Sequence, residues 1–285
     1  MPSNEERRAA AKQKLEHQLA DRADRARKRK RLTIAGSALG VVVVVAAVTG
    51  VYFLTRSDDS ADSAQPNAQL AAQAPEAKAK AATVNCTYRD GQKPADKPVD
   101  KPKGDAIPTT GKNAEVSASM VTNQGPLGLT LNNAESPCTV NSFLSLSSKK
   151  FYDNTECHRM TADDGLKVLQ CGDPTGSGAG GPGYEFDNEY PTDQYAPEDP
   201  KAQEPITYER GTLAMANAGP GTNGSQFFLV YGDSKLPPQY TIFGKIDDNS
   251  LPTLDKIAEL GQDNANGPGD GKPNQPVSIQ SVDID

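Results

Sequence analysis

Tryptophan is absent from this 285-residue chain, histidine occurs twice and cysteine four times. With His17 and His158 far apart and no CxxC spacing, the donor set of a zinc site is missing, and Cys157, His158 and Cys171 do not supply one. Neither a metal nor an organic cofactor is expected. Gly176, Gly178 and Gly181 fit GxGxxG, but Pro182 and Gly183 follow where a helix would have to begin, so no helix terminus is available for a phosphate. Long, predominantly apolar runs are also missing, with one exception. Residues 32–54 are 23 positions without a charge and as a helix would measure about 34 Å, enough to cross a bilayer core.

What is present divides the chain into four. Residues 1–31 carry eleven Lys and Arg against five acids, so of the formal charge of −7 the remaining residues hold −13. A basic arm can be a nucleic-acid tail, but followed by an apolar run it fits the cytoplasmic side of the positive-inside rule, with only Arg56 just beyond the run. A single-pass membrane protein with a cytoplasmic N-terminus is therefore expected, with no nucleic-acid partner. The exit of the run, Tyr52 to Arg56, has no small-x-small site of a cleaved signal peptide. Residues 55–113 read as a tether, rich in Ala, Gln, Asp and Ser and then in Lys-Pro pairs that favour a stiff extended spacer. Cys86, inside the alternating Val84-Asn85-Cys86-Thr87-Tyr88, implies one pinned point.

Residues 114–285 read as a folded domain. Alternation through Val116, Ala118 and Met120 and then Leu127, Leu129 and Leu131 predicts a hairpin turning at Asn123-Gln124-Gly125. Ser136 as N-cap and Pro137 at N1 open a helix to about Lys149, and residues 251–260 form a second with Gly261 at C′. Strands are expected at 241–246 and 277–282. In residues 212–232, TLAMANAGPGTNGSQFFLVYG, β-prone ends flank a Gly- and Asn-rich middle. The small residues leave backbone groups uncovered, while Asn217 and Gln226 carry amides and Phe228 an aromatic wall, an arrangement suited to gripping another chain's backbone.

Cys157-His158-Arg159, Leu169-Gln170-Cys171-Gly172-Asp173, the MANAG and TNGSQFF runs and Ile242-Phe243-Gly244-Lys245 together resemble the cyclophilin family of peptidyl-prolyl cis/trans isomerases. With the preceding apolar run, the likeness is to the membrane-anchored B-type form of high-GC Gram-positive bacteria. It implies a mainly β fold, an eight-stranded antiparallel barrel capped by two helices. It also implies proline-containing polypeptide clients outside the cytoplasm. X-Pro rotation needs no nucleophile, only preference for the twisted imide, whose nitrogen then accepts a hydrogen bond. Arg159, permanently charged and rich in N–H donors, is the expected donor. The resemblance further implies that Phe228, Val168 and Leu236 line the proline pocket, and that Gln170 and Gln226 orient the substrate carbonyl and Arg159. The Asn217 backbone would pair with the peptide, and Gly178, Ala216 and Ala218 would line the groove.

The chain departs from the family pattern at three places. Three extra residues separate Arg159 from Gln170, Lys167-Val168 replace a Phe-Met pair so that Leu166 is expected to supply apolar wall, and Tyr240 stands at the usual histidine. Lys235 lies near the family's tryptophan site, so cyclosporin-type ligands are expected to bind weakly. A rival reading is a peptide-binding module that has lost turnover; retained Arg159, Gln226 and Phe228 favour the enzyme. His158 is expected to be hydrogen-bonded under the hairpin.

The four cysteines lie beyond the apolar run, on the expected oxidising side. Asp163-Asp164-Gly165 signals a turn, and a hairpin centred on Asp164 sets Cys157 opposite Cys171 and Arg159 opposite Leu169. Disulfides Cys157–Cys171 and Cys86–Cys138 are expected.

Overall fold

The structure, a computed structural model, describes residues 71–196 and 198–285. The basic arm, the apolar run 32–54 and the start of the tether lie outside the described residues. Among the described residues no helix is long and apolar enough to cross a membrane.

Strands β1 (Glu115–Thr122) and β2 (Gly125–Asn132) pair from Glu115↔Asn132 to Thr122↔Gly125 around the expected turn. Their alternation buries Ala118, Met120, Leu127, Leu129 and Leu131 on one face. Helix α1 (Pro137–Ser148) covers that face with Val140, Phe143 and Leu146. Ser136 does not cap it, because its hydroxyl donates to Ile242 O at 2.7 Å instead. The buried Glu189 carboxylate takes over, accepting from Cys138 N at 3.1 Å, Thr139 N at 2.8 Å and Thr139 Oγ1 at 2.7 Å.

The chain continues through β3 (Arg159–Thr161), β4 (Lys167–Cys171), β5 (Thr212–Met215), β6 (Phe227–Gly232), β7 (Ile242–Ile246), helix α2 (Leu251–Ala258) and β8 (Ser278–Ile284). Gly261 adopts a left-handed φ of 64° two residues after the Glu259 cap, one later than the C′ position expected. The antiparallel sheet runs β3-β4-β6-β5-β7-β2-β1-β8. Two-residue strands at its ends, Asp270–Gly271 beside β3 and Thr155–Glu156 beside β8, make it ten-stranded rather than eight. Thr155–Glu156 runs on into Arg159, so one stretch of chain reaches both ends of the sheet and the sheet is curled. Inside, the Phe143 ring lies 5.1 to 5.6 Å from those of Tyr152, Phe227 and Phe243.

The tether expected through residue 113 is laid against the domain instead. Thr83–Val84 pairs with Ile107–Pro108, and Arg89–Asp90 pairs with Tyr184–Glu185. Tyr88 is the reason: its ring meets Tyr184 and Phe186 edge-on at 5.6 Å each, and its hydroxyl donates to Cys138 O at 2.7 Å. The Lys-Pro stretch is held as well, through Lys97 Nζ on Phe151 O at 3.0 Å, while Lys149 Nζ donates to Asp100 O at 2.8 Å. Cys86–Cys138 is formed, with Cα atoms 5.3 Å apart.

Candidate active site

Register brings the expected residues onto one line across the sheet. Arg159 lies opposite Gln170, Gln170 opposite Phe228, and Phe228 opposite Ala214. The pairing Arg159↔Gln170 corrects the expected Arg159 opposite Leu169. The turn holds two residues, Asp164 and Gly165, between the bridged Asp163 and Leu166, as tight hairpins favour, which shifts the register by one. Cys157 and Cys171 are nevertheless bonded, with Cα atoms 4.0 Å apart. Cys157 has left the β3–β4 ladder, its N–H bonding Val277 O at 2.8 Å.

Arg159 has a partner that the sequence did not reveal. Asp270, 111 residues away, receives Nε at 2.9 and 3.1 Å and Nη2 at 2.6 Å, while Nη1 lies 3.4 Å from Gln170 Oε1. Asp270 raises the guanidinium's pKa, and Arg159 holds the carboxylate below its ordinary range. Of the five guanidinium N–H groups, these contacts leave one on each terminal nitrogen uncommitted. The polar line continues from Gln170 Nε2 to Gln226 Oε1 at 2.8 Å, and from Gln226 Nε2 to the carbonyls of Gly178 at 3.1 Å and Gly180 at 2.9 Å.

Those carbonyls belong to a loop built around buried Asp173, a second residue not foreseen. Its carboxylate accepts from the backbone N–H of Thr175 at 2.7 Å, Gly178 at 2.6 Å and Gly180 at 3.1 Å. Burial pushes its pKa up, but the hydrogen bonds of Thr175, Gly180 and Gly178 outweigh this and it lies below the usual carboxylate value. A Cβ on Gly180 would sit 2.1 Å from Asp173 Oδ1, so only glycine fits there. The glycines of the GxGxxG-like run thus enclose a carboxylate of the chain itself. An Asp two residues before Thr175, ahead of a Gly-rich run, is an Asx-turn signal that could have found it.

Phe228 and Val168 are buried in a second apolar cluster with Ala214, Val230, Ile206 and Tyr208, against which Leu166, Ala216, Leu236 and Tyr240 pack half-buried. Tyr240 meets Phe228 edge-on at 5.8 Å. Beside it opens a cleft of about 570 Å³ lined by Gln170, Gln226, Gly178, Ala216, Asn217 and Ala218 among others. The Asn217 side chain is committed internally, donating to Gln239 O at 2.9 Å and accepting from Gly219 N at 3.1 Å. His158 corrects another expectation: it is buried, but among the described residues neither ring nitrogen has a hydrogen-bond partner. Burial lowers its pKa, leaving it neutral.

The model of the family described as "Cyclophilin type peptidyl-prolyl cis-trans isomerase/CLD" matches residues 117–284. The chain belongs to the cyclophilin-type peptidyl-prolyl cis-trans isomerases. Among this cyclophilin's relatives, a probable peptidyl-prolyl cis-trans isomerase B of Mycobacterium leprae (strain TN) is 51% identical over an alignment of 314 positions that spans the whole of both chains. A probable isomerase B of Mycobacterium tuberculosis (strain ATCC 25618 / H37Rv) is 63% identical over 183 residues, 63% of this chain and 59% of that one. An isomerase A of the same strain is 37% identical over 188 residues, 60% of this chain and 93% of that one.

Proposed function

We propose that this cyclophilin catalyses X-Pro isomerisation by donating a hydrogen bond from Arg159 to the imide nitrogen as it turns pyramidal. The barrier of about 18–20 kcal/mol comes from amide resonance, and a donor that the planar ground states cannot use lowers it selectively. The observation that carries this is the side-on hold of Asp270 on Nε and Nη2, which fixes the guanidinium plane while one N–H on each terminal nitrogen stays uncommitted. Phe228, Val168, Leu236, Leu166 and Tyr240 would receive the proline ring, and Gln170 and Gln226 would orient the neighbouring carbonyl. An isomerisation assay tests it: Arg159→Ala should lose on the order of a hundredfold in kcat/KM with the fold intact. Unchanged turnover would remove Arg159 from the mechanism, and peptide binding without turnover by the natural protein would favour the binding-module reading.

The anchored topology is part of the same proposal, supported by the uncharged run 32–54 behind a basic arm. Protease added to spheroplasts should then remove the isomerase domain; protection until lysis would reverse the topology. Cyclosporin-type ligands should bind weakly, because exposed Lys235 supplies neither an indole N–H nor its aromatic surface. Lys235→Trp should tighten binding, and an unchanged affinity would reject this cause.

A further inference from the structure

The cleft beside Gln170 and Gln226 has a wall from outside the span that the family model matches. Gly91, Gln92, Lys93 and Pro94 line it together with the Gly-rich loop and Ala216, Asn217 and Ala218. This wall is fixed at both ends. On one side, Gly91 N donates to Gly183 O at 2.9 Å, next to the Arg89–Asp90 strand and five residues after Cys86 of the Cys86–Cys138 bond. On the other, Asp96 N donates to Gly181 O at 3.1 Å and Asp96 Oδ2 accepts from Gly181 N at 2.9 Å. The approach is close enough that a Cβ on Gly183 would lie 2.6 Å from Ala95 N. Between these anchors the side chains of Gln92, Lys93 and Pro94 are exposed.

Two charged residues line the cleft, Lys93 and Glu185. Glu185 faces the wall's own backbone, Oε1 lying 3.5 Å from Gln92 N, whereas among the described residues the Lys93 ammonium reaches only a neutral carbonyl, Ala179 O at 3.5 Å. We propose that residues 92–94 are a substrate-selecting wall. Residues flanking the client's proline lie between this wall and the Gly-rich loop, and Lys93 favours an acidic side chain there. The proposal rests on the isomerase reading for the site beside it, but needs only peptide binding to be tested.

The test uses the full-length protein and two fluorescein-labelled peptides that share one X-Pro bond and carry either aspartates or lysines in their flanks. Anisotropy gives Kd and the isomerisation assay gives KM and kcat. An exposed ion pair is worth up to about 1 kcal/mol, so the acidic peptide should bind up to roughly fivefold more tightly, less so at high salt. Lys93→Glu should reverse the order, and replacing Gln92, Lys93 and Pro94 together by glycine should abolish it, with the changes falling on KM and Kd. The same preference in Lys93→Glu as in the natural protein would overturn the proposal. A charge preference that depends on Lys93 in a protein without turnover would support the wall and overturn the isomerase reading instead.

Discussion

Asp270 ties Arg159 from the far end of the chain, and its role is separable from charge at a distance. Asp270→Asn keeps the side chain's shape but removes the charge and one acceptor oxygen, so the guanidinium is held less firmly. Loss of a charge-assisted bond suggests about a tenfold drop, expected in kcat rather than KM because the residue touches Arg159 and not the client. An unchanged kcat would show that Arg159 is positioned without it. The pH behaviour follows from the lowered carboxylate: the pair is complete above the usual Asp value of 3.8 and is lost only as pH falls through the still lower folded value. Activity should therefore show no inflection from this pair between pH 5 and 8. His158 acts on stability in the same sense. Its folded pKa lies below the ordinary 6.5, so the unfolded chain binds the extra proton and stability falls as pH drops below about 6.5, by at most about 1.4 kcal/mol per pH unit. Denaturant titrations at pH 7.5 and 5.5 should show that slope, and His158→Leu should flatten it; an unchanged slope would assign it elsewhere. Neither Asp270 nor the unpaired state of His158 was legible in the sequence. Gly267 to Gly271 reads as a turn, and no local pattern states that it returns to a strand 111 residues earlier.

At the level of elements, period-two alternation located β1 and β2 because one face of each packs into the core and the other does not. The β3–β4 hairpin shows where that kind of reasoning stops. Asp163-Asp164-Gly165 announced the turn but not whether it was centred on a residue or on a bond, and that choice decides what faces Arg159. The cysteine pair tolerated the error because Cys157 lies off the ladder. Helix α1 was found from its stripe, but its cap was misassigned, since Glu189 comes from a loop fifty residues away. The Cys157–Cys171 bond closes a short loop, its partners having a sequence separation of 14, worth about 3 kcal/mol by chain entropy. Replacing both cysteines by alanine should lower the unfolding free energy by about that amount in urea titrations. It should also lower kcat, because the strand presenting Arg159 begins two residues later. Full kcat with reduced stability would limit the bridge to a structural role.

On the scale of the whole molecule, the sequence placed the boundary of the folded part at residue 114, and composition was the reason. Stretches rich in Ala, Gln, Lys and Pro carry too few large apolar residues to order themselves, yet they can order on a surface provided by the rest of the chain. Tyr88 and Val99 supply the apolar contacts against the core, and Cys86 ties the stretch to the start of α1. A fragment of residues 114–285 would uncover Tyr184 and Phe186 where Tyr88 lies edge-on to them, and would leave Cys138 without its partner. The lost cross-link has a sequence separation of 52, which by loop closure is worth about 4 kcal/mol, before any loss of apolar burial. Residues 71–285 should therefore exceed residues 114–285 carrying Cys138→Ser in unfolding free energy by several kcal/mol. Truncation deletes both the bridge and the docked stretch, so a second comparison separates them. In residues 71–285, Cys86→Ser with Cys138→Ser removes the bridge alone and should recover only the packing share of the difference. Equal urea midpoints for the long and short fragments would mean that the preceding stretch contributes nothing to the fold, and that the boundary read from composition was the physical one.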